Sequence, residues 1–254
     1  MLHVRRFGSG PEVVALHGFS LTGEQFAASA DLLDRTIIAP DLAGHGLSAS
    51  EPTDVASVTA AVCDVAGAAA EPLPVIGYSQ GGRLGLLAAL HDRSPISALI
   101  LISATAGVRG SRARQARSTQ DADRAARIEQ QGIGSFIAEW TTTGLTSLSH
   151  LSVEYRAWDL SVRQENTASG LASALVGYGQ GAQPVVWSRL DEVSIPTLVI
   201  AGRMDDAYVA IAREMARRIP DAQLEIIEEA GHNPLADQPA VIHAMISRFL
   251  DRHG

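Results

Sequence analysis

The sequence predicts an α/β fold: a mostly parallel central sheet flanked by helices, with a helical insertion between the two halves of the sheet. Three observations predict it. An apolar run ends abruptly in Gly77-Tyr78-Ser79-Gln80-Gly81 and gives way to an Ala/Leu-rich stretch at 84–90, the pattern of strand, sharp turn and helix. Short apolar runs alternate with helical periodicity before residue 103 and again from residue 197, as strands joined by right-handed helical crossovers do. Between them, 107–190 carries helical patterns and loops without a convincing strand. The expected organisation is a core in two parts, 1–106 and 191–254, with 107–190 as a helical cap covering the site.

Taken in order, 13–16 is an apolar strand ending at His17-Gly18-Phe19, 24–33 has helical spacing, and 36–39 is the next strand. A glycine-punctuated loop, 41–48, leads to a helix at 54–70, then to the strand before Ser79, the helix after it, and a strand at 98–102. Helical patterns follow at 111–131, 133–141, 153–162 and 168–178. The alternation resumes with a strand at 197–202, a helix at 207–219, a strand at 224–227 and a terminal amphipathic helix at 239–252. Parallel sheets bind ligands at the carboxyl ends of their strands, which is where both His17-Gly18-Phe19 and Ser79 fall.

Composition narrows the partners. With 254 residues and 46% hydrophobic content the chain can bury a full core as one domain with an insertion. A formal charge of −8 argues against nucleic-acid binding, which needs a basic surface. Twenty arginines and no lysine make every fixed cation a potential bidentate anion ligand, and eight of them crowd into 109–163. The single cysteine, Cys63, lies in an Ala/Val-rich helical stretch and reads as a buried structural residue. Neither a signal peptide nor a membrane span is found, so the expected setting is cytoplasmic and the expected partner a small anionic molecule. The sequence sets no oligomeric state.

The chemistry centres on the turn at Ser79. Gly77 and Gly81 leave room where side chains would meet neighbouring backbone, and the helix that follows points free N–H groups at the serine. A neutral serine is a weak nucleophile or base. Two later loops supply what it lacks: Gly202-Arg203-Met204-Asp205-Asp206 after one strand and Ala230-Gly231-His232-Asn233 after the next. The order Ser79, Asp205, His232 is that of α/β-hydrolases, with His232 taking the serine proton and Asp205 fixing the imidazole tautomer. Asp206 is the rival acid, its alternative role being the N-cap of 207–219. The backbone N–H groups of Phe19 and Gln80 form the expected oxyanion hole. His45 and His17 read as hydrogen-bonders that hold their loops. No metal-ligand spacing and no phosphate-binding or dinucleotide motif appears, so no metal and no cofactor are expected.

Beyond that general pattern, the sequence resembles the 2-succinyl-6-hydroxy-2,4-cyclohexadiene-1-carboxylate synthase family of menaquinone biosynthesis along nearly its whole length. The likeness is carried by Leu16-His17-Gly18-Phe19, Asp41-Leu42 with Gly44-His45-Gly46, Gly77-Tyr78-Ser79 with Gly81-Gly82-Arg83, Arg117 four before Asp121, Phe136 to Trp140, Arg163, Gly181-Ala182-Gln183-Pro184 ahead of Trp187, and Ala230-Gly231-His232-Asn233. The resemblance implies that Ser79, activated by His232, removes a proton from the substrate's succinyl chain, after which pyruvate is expelled. It implies carboxylate binding by Arg83, Arg117 and Arg163, and pocket roles for Tyr78 and Trp140. The chain departs from the family at Gln80, at Ala104-Thr105-Ala106-Gly107, and at Pro234-Leu235-Ala236-Asp237-Gln238-Pro239. The competing readings are a carboxylic ester hydrolase using Ser79 as a nucleophile, and a ligand receptor on a hydrolase fold that has lost turnover.

Overall fold

Apolar runs that cannot face water on either side assemble into the middle of one sheet, and the amphipathic stretches between them cover its two faces. The computed structural model describes residues 1–92, 94–142 and 144–254. In chain order the elements are β1 (Val4–Phe7), β2 (Glu12–Leu16), α1 (Ser29–Leu33), β3 (Thr36–Pro40), α2 (Val55–Ala66), β4 (Leu73–Tyr78), α3 (Gln80–Ala89) and β5 (Ile96–Ile102). There follow α4 (Ser111–Trp140), α5 (Val153–Gln164) and α6 (Ala168–Tyr178), then β6 (Thr197–Gly202), α7 (Asp206–Arg218), β7 (Ala222–Ile227), α8 (Pro234–Asp237) and α9 (Pro239–His253). No strand lies between β5 and β6 among the described residues.

The described strands form one sheet in the order β1-β3-β2-β4-β5-β6-β7, parallel except for β1. Every residue of β4 and of β6 is buried, as expected of strands covered by helices on both faces. Side chains alternate between two cores. Val14, Leu16, Leu99 and Leu101 face α2, α3 and α7 through Val58, Leu86 and Met215. Val13, Ala15, Ile100 and Ile102 face α1 and α9 through Leu33, Ile246 and Phe249. A third cluster holds α4 to α6 through Ile128, Phe136, Leu171 and Leu175, and Phe19 of the sheet's loop packs against it. The site lies between this helical layer and the sheet.

Four elements differ from the sequence expectation. β1 lies ahead of the first strand expected from the sequence, at 13–16. It pairs antiparallel with β3, Val4 opposite Pro40, and two arginines in four residues hide an edge strand while protecting it from pairing with another chain. The helix expected over 24–33 is instead a 3₁₀ turn, Gly23–Phe26, followed by α1. A Cβ at Gly23 would stand 2.4 Å from the Ala39 carbonyl oxygen, so the 3₁₀ turn starts in close contact with β3. α2 stops at Ala66, short of 70. The separate patterns at 111–131 and 133–141 are the two limbs of α4, broken at Gly132, whose φ of 77° and ψ of 166° suit only glycine. No described helix is long and apolar enough to cross a membrane. Cys63 lies half-buried in α2, where burial pushes its thiol pKa up.

Candidate active site

Ser79 occupies the step from β4 to α3, with φ 49° and ψ −103°, a left-handed conformation that non-glycine residues adopt only under constraint. The constraint is steric. A Cβ at Gly77 would stand 2.5 Å from the Gly82 Cα, one at Gly81 2.0 Å from the Leu16 carbonyl oxygen, and one at Gly82 2.7 Å from the Ala104 Cβ. Only glycines let β2, β4 and α3 close on one another here. The Ser79 N–H donates to the Ile102 carbonyl at 2.8 Å, which ties the turn to β5.

Ser79 Oγ lies 3.1 Å from His232 Nε2, and His232 Nδ1 lies 2.8 Å from Asp205 Oδ2. Because an ionised carboxylate can only accept, the proton sits on Nδ1, leaving Nε2 free to accept the serine proton. The loops that carry these groups are locked together. A Cβ at Gly202 would stand 2.0 Å from the Gly231 oxygen, Met204 N–H donates to Ala230 O at 2.8 Å, and Gly231 N–H donates to Asp237 Oδ2 at 2.7 Å. The rings of Tyr208 and Tyr78 flank the imidazole at 4.5 and 5.9 Å.

Asp205, not Asp206, meets His232. Asp205 is also the N-cap of α7, its Oδ1 accepting from Tyr208 N–H at 3.3 Å. The capping role considered for Asp206 is therefore corrected: Asp206 is the exposed first residue of the helix. One carboxylate does both jobs because its two oxygens face different donors. The N–H groups of Phe19 and Gln80 have no acceptor among the described residues, and the Gln80 N–H belongs to the first turn of α3, where no intrahelical partner exists. The Gln80 side chain is buried, lines the pocket, and leaves its Nε2 unpaired.

A pocket of about 320 Å³ opens beside Ser79 and His232. Arg83, Arg117, Arg124 and Arg163 line it, together with Tyr78 and Trp140; among the described residues no Asp or Glu does. The four arginines are not equivalent. Arg163, on α5, is held by Asp159 through Nε and Nη2 and by Ser20 through Nη1, so its charge is largely met inside the protein. Arg117 donates from Nε to Asp121 at 2.9 Å and from Nη1 to Gln180. Arg83, only 6% exposed, meets no carboxylate within ion-pair distance among the described residues. It donates to Gln183 Oε1 at 3.0 Å and to the Tyr178 carbonyl at 3.3 Å, and its Nε is unpaired. Burial and nearby Arg117 push its pKa down to about 10, the mark of a buried cation short of anions.

His17 holds the loop that carries Phe19, and His45 holds its own loop through the Ala43 carbonyl at 3.1 Å. His17 Nε2 accepts from Leu42 N–H at 2.9 Å while Nδ1 donates to Gly18 O at 2.8 Å, which fixes a neutral ring. Burial lowers the pKa of His17 to about 4 and, with the neighbouring His17, that of His45 to about 3. Sequence reading had left Arg124, Gln120, Gln180 and Tyr208 out of the pocket. For Gln120 and Arg124 the signal was present, since they lie three and seven residues after Arg117 on one helix face. Gln180 arrives from the loop after α6 and Tyr208 from the first turn of α7, and no local pattern encodes the approach of either to the pocket. Among the described residues no three His, Cys, Asp or Glu side chains are grouped as metal ligands would be.

A parallel sheet, a strained serine between strand and helix, and acid and histidine on the next two loops define a class. Residues 13–245 match the alpha/beta hydrolase family, and the chain belongs to it. Among its relatives is a Bacillus subtilis protein, provisionally described as a 2-succinyl-6-hydroxy-2,4-cyclohexadiene-1-carboxylate synthase, 34% identical over 94% of this chain and 89% of that one. The synthase of that name from Klebsiella pneumoniae is 28% identical over 94% of each chain. The solved structure of MenH from S. aureus superposes with a TM-score of 0.93 at 29% identity, covering 99% of both chains.

Proposed function

We propose that this chain is a 2-succinyl-6-hydroxy-2,4-cyclohexadiene-1-carboxylate synthase, a carbon–oxygen lyase that releases pyruvate from a tri-anionic precursor. The observation that carries the reading is a serine–histidine–aspartate relay opening into a pocket lined by four guanidinium groups and no carboxylate. Relatives bearing that name along nearly the full chain support it.

In this reading His232 Nε2 takes the Ser79 hydroxyl proton as Ser79 Oγ takes the proton from the ring carbon that bears the succinyl group, next to the succinyl carbonyl. The electron pair left behind forms a new ring double bond, shifts the existing one along the ring and breaks the bond to the pyruvyl oxygen, which leaves a ring diene. The departing oxygen leaves as the enolate of pyruvate and takes up the proton held by His232, which restores the neutral imidazole, while Ser79 keeps the substrate's proton in exchange for its own. Charge that builds on the succinyl carbonyl oxygen meets the N–H groups of Phe19 and Gln80. Arg83, Arg117 and Arg163 hold carboxylates, and Tyr78 and Trp140 wall the ring.

An ester hydrolase would use the same relay, with Ser79 attacking a carbonyl carbon. The two are separated by assaying pyruvate release from the precursor beside hydrolysis of a neutral aryl ester. Pyruvate release far outpacing ester cleavage is the expected result. Efficient ester cleavage with no pyruvate would replace the lyase reading with the esterase.

A further inference from the structure

α4 turns Arg117, Gln120 and Arg124 toward the pocket at the three- and four-residue spacing of one helix face. Their electrostatic positions differ. Asp121, 2% exposed on the same helix, uses Oδ1 to accept from Arg117 and Oδ2 to accept from the Gly181 N–H at 3.0 Å. Arg124 approaches Asp121 only to 3.6 Å, outside hydrogen-bond range, and its guanidinium has no hydrogen-bond acceptor among the described residues. It lies over the face of Trp140, 5.0 Å from the ring centroid. With the ring beside it and no hydrogen-bond acceptor among the described residues, its donor fork is open to a planar, bidentate acceptor. Trp140 lines the same pocket, and its Nε1 is buried with no partner.

Four guanidiniums line the pocket, and two buried carboxylates, Asp121 and Asp159, pair with them, which leaves two positive charges in excess. Arg83 accounts for one. The other resides where Arg117 and Arg124 share a single carboxylate. A cation left with donors unmet and a neighbour of like charge is held at a cost unless an anion arrives.

We infer that Arg124, Gln120 and the Trp140 N–H form a carboxylate-binding subsite on the α4 wall, additional to Arg83, Arg117 and Arg163, which makes the pocket select for substrates bearing several carboxylates. Its place in turnover rests on the lyase reading; its anion binding does not. Arg124 acts on affinity rather than on the reacting bonds, so its loss falls on KM.

The test uses the full-length protein as wild type, Arg124→Met and Arg124→Lys, with folding checked by thermal midpoint. Each is titrated calorimetrically with citrate, a small tri-anion, and assayed for pyruvate release and for neutral aryl ester hydrolysis. Arg124→Met is expected to weaken citrate binding about ten-fold and to raise KM for the precursor by about as much, with kcat and ester hydrolysis within two-fold of wild type. Arg124→Lys keeps the charge without the fork and should recover part of the loss. If citrate binding weakens as stated but the wild type releases no pyruvate, the subsite stands and the lyase reading falls. If Arg124→Met leaves citrate binding unchanged, if the wild type binds no citrate, or if kcat falls while KM holds, the subsite is overturned.

Discussion

The two walls of the pocket are built by different means. The sheet wall is fixed by backbone: Ser79 sits at φ 49° because Gly77, Gly81 and Gly82 bring main chain and small side chains into contact, with hypothetical Cβ distances of 2.0–2.7 Å. The cap wall is fixed by charge: Arg163 is held by Asp159, Arg117 by Asp121, and Arg83, which reaches up from α3, by the Tyr178 carbonyl and Gln183. Backbone constraint tolerates almost no substitution and sets atoms within tenths of an ångström, as proton transfer from serine needs. Ion pairs tolerate exchange of partners, and the surplus of cations sets which molecules are attracted. The proposed function therefore puts its chemistry on the first wall and its substrate choice on the second.

The largest effect should come from breaking the first wall's chemistry. Ser79→Ala and His232→Ala are each expected to lose roughly 10⁴-fold or more in kcat, with the double variant little worse, because the two side chains act as one unit. Steady-state rates on both the acidic precursor and a neutral ester check it. A single variant that keeps near wild-type turnover would remove Ser79 and His232 from the mechanism.

Next comes the cap wall's buried pair. Asp159 is fully buried, and removing one partner of such a pair leaves the other charge uncompensated, a loss of about 3–5 kcal/mol. Asp159→Asn should lower the denaturation midpoint accordingly, yet leave affinity for the acidic substrate undiminished, since it frees a cation facing the pocket. A stability loss accompanied by an equal loss of affinity would mean that Asp159 positions Arg163 rather than restraining its charge.

A smaller, pH-dependent effect belongs to the sheet wall. His17 and His45 are buried neutral, with pKa lowered from the ordinary 6.5 to about 4 and about 3. In the unfolded chain both take up protons below about pH 6.5. The folded chain refuses them until about pH 4. Stability is thus intact above pH 6.5 and falls as the pH drops from 6.5 toward 4, by on the order of 3 kcal/mol for His17. Thermal midpoints measured across that window check it; a midpoint flat from pH 7 to 5 would contradict the neutral, buried assignment.

The same contrast explains what could be read from the sequence. Gly77, Gly81 and the apolar run before them admit one conformation, so the turn at Ser79, the central strands and the loops bearing Asp205 and His232 were legible in outline. β1 was not, because an edge strand needs no apolar run and this one carries Arg5 and Arg6. Arg5 instead anchors the strand through Asp41, at 3.0 and 3.1 Å. On the cap, Asp159 stands four residues before Arg163, a spacing visible in the sequence that foretold its neutralisation and was not used. That Arg83 would be buried beside Gln183 rather than beside a carboxylate was not legible, since Gln183 lies a hundred residues away and becomes its neighbour only when the helical layer closes over α3.

The division of labour between the walls is tested most directly by Arg117→Met, assayed for kcat/KM on the tri-anionic precursor and on a neutral aryl ester in the same preparation. A charge-assisted contact of about 1.5–3 kcal/mol is removed, so efficiency on the precursor should fall roughly ten- to a hundred-fold while ester hydrolysis stays within two-fold of wild type. Equal losses on both substrates would show that Arg117 supports the chemistry or the fold rather than selecting the anion, and would contradict the separation of the two walls.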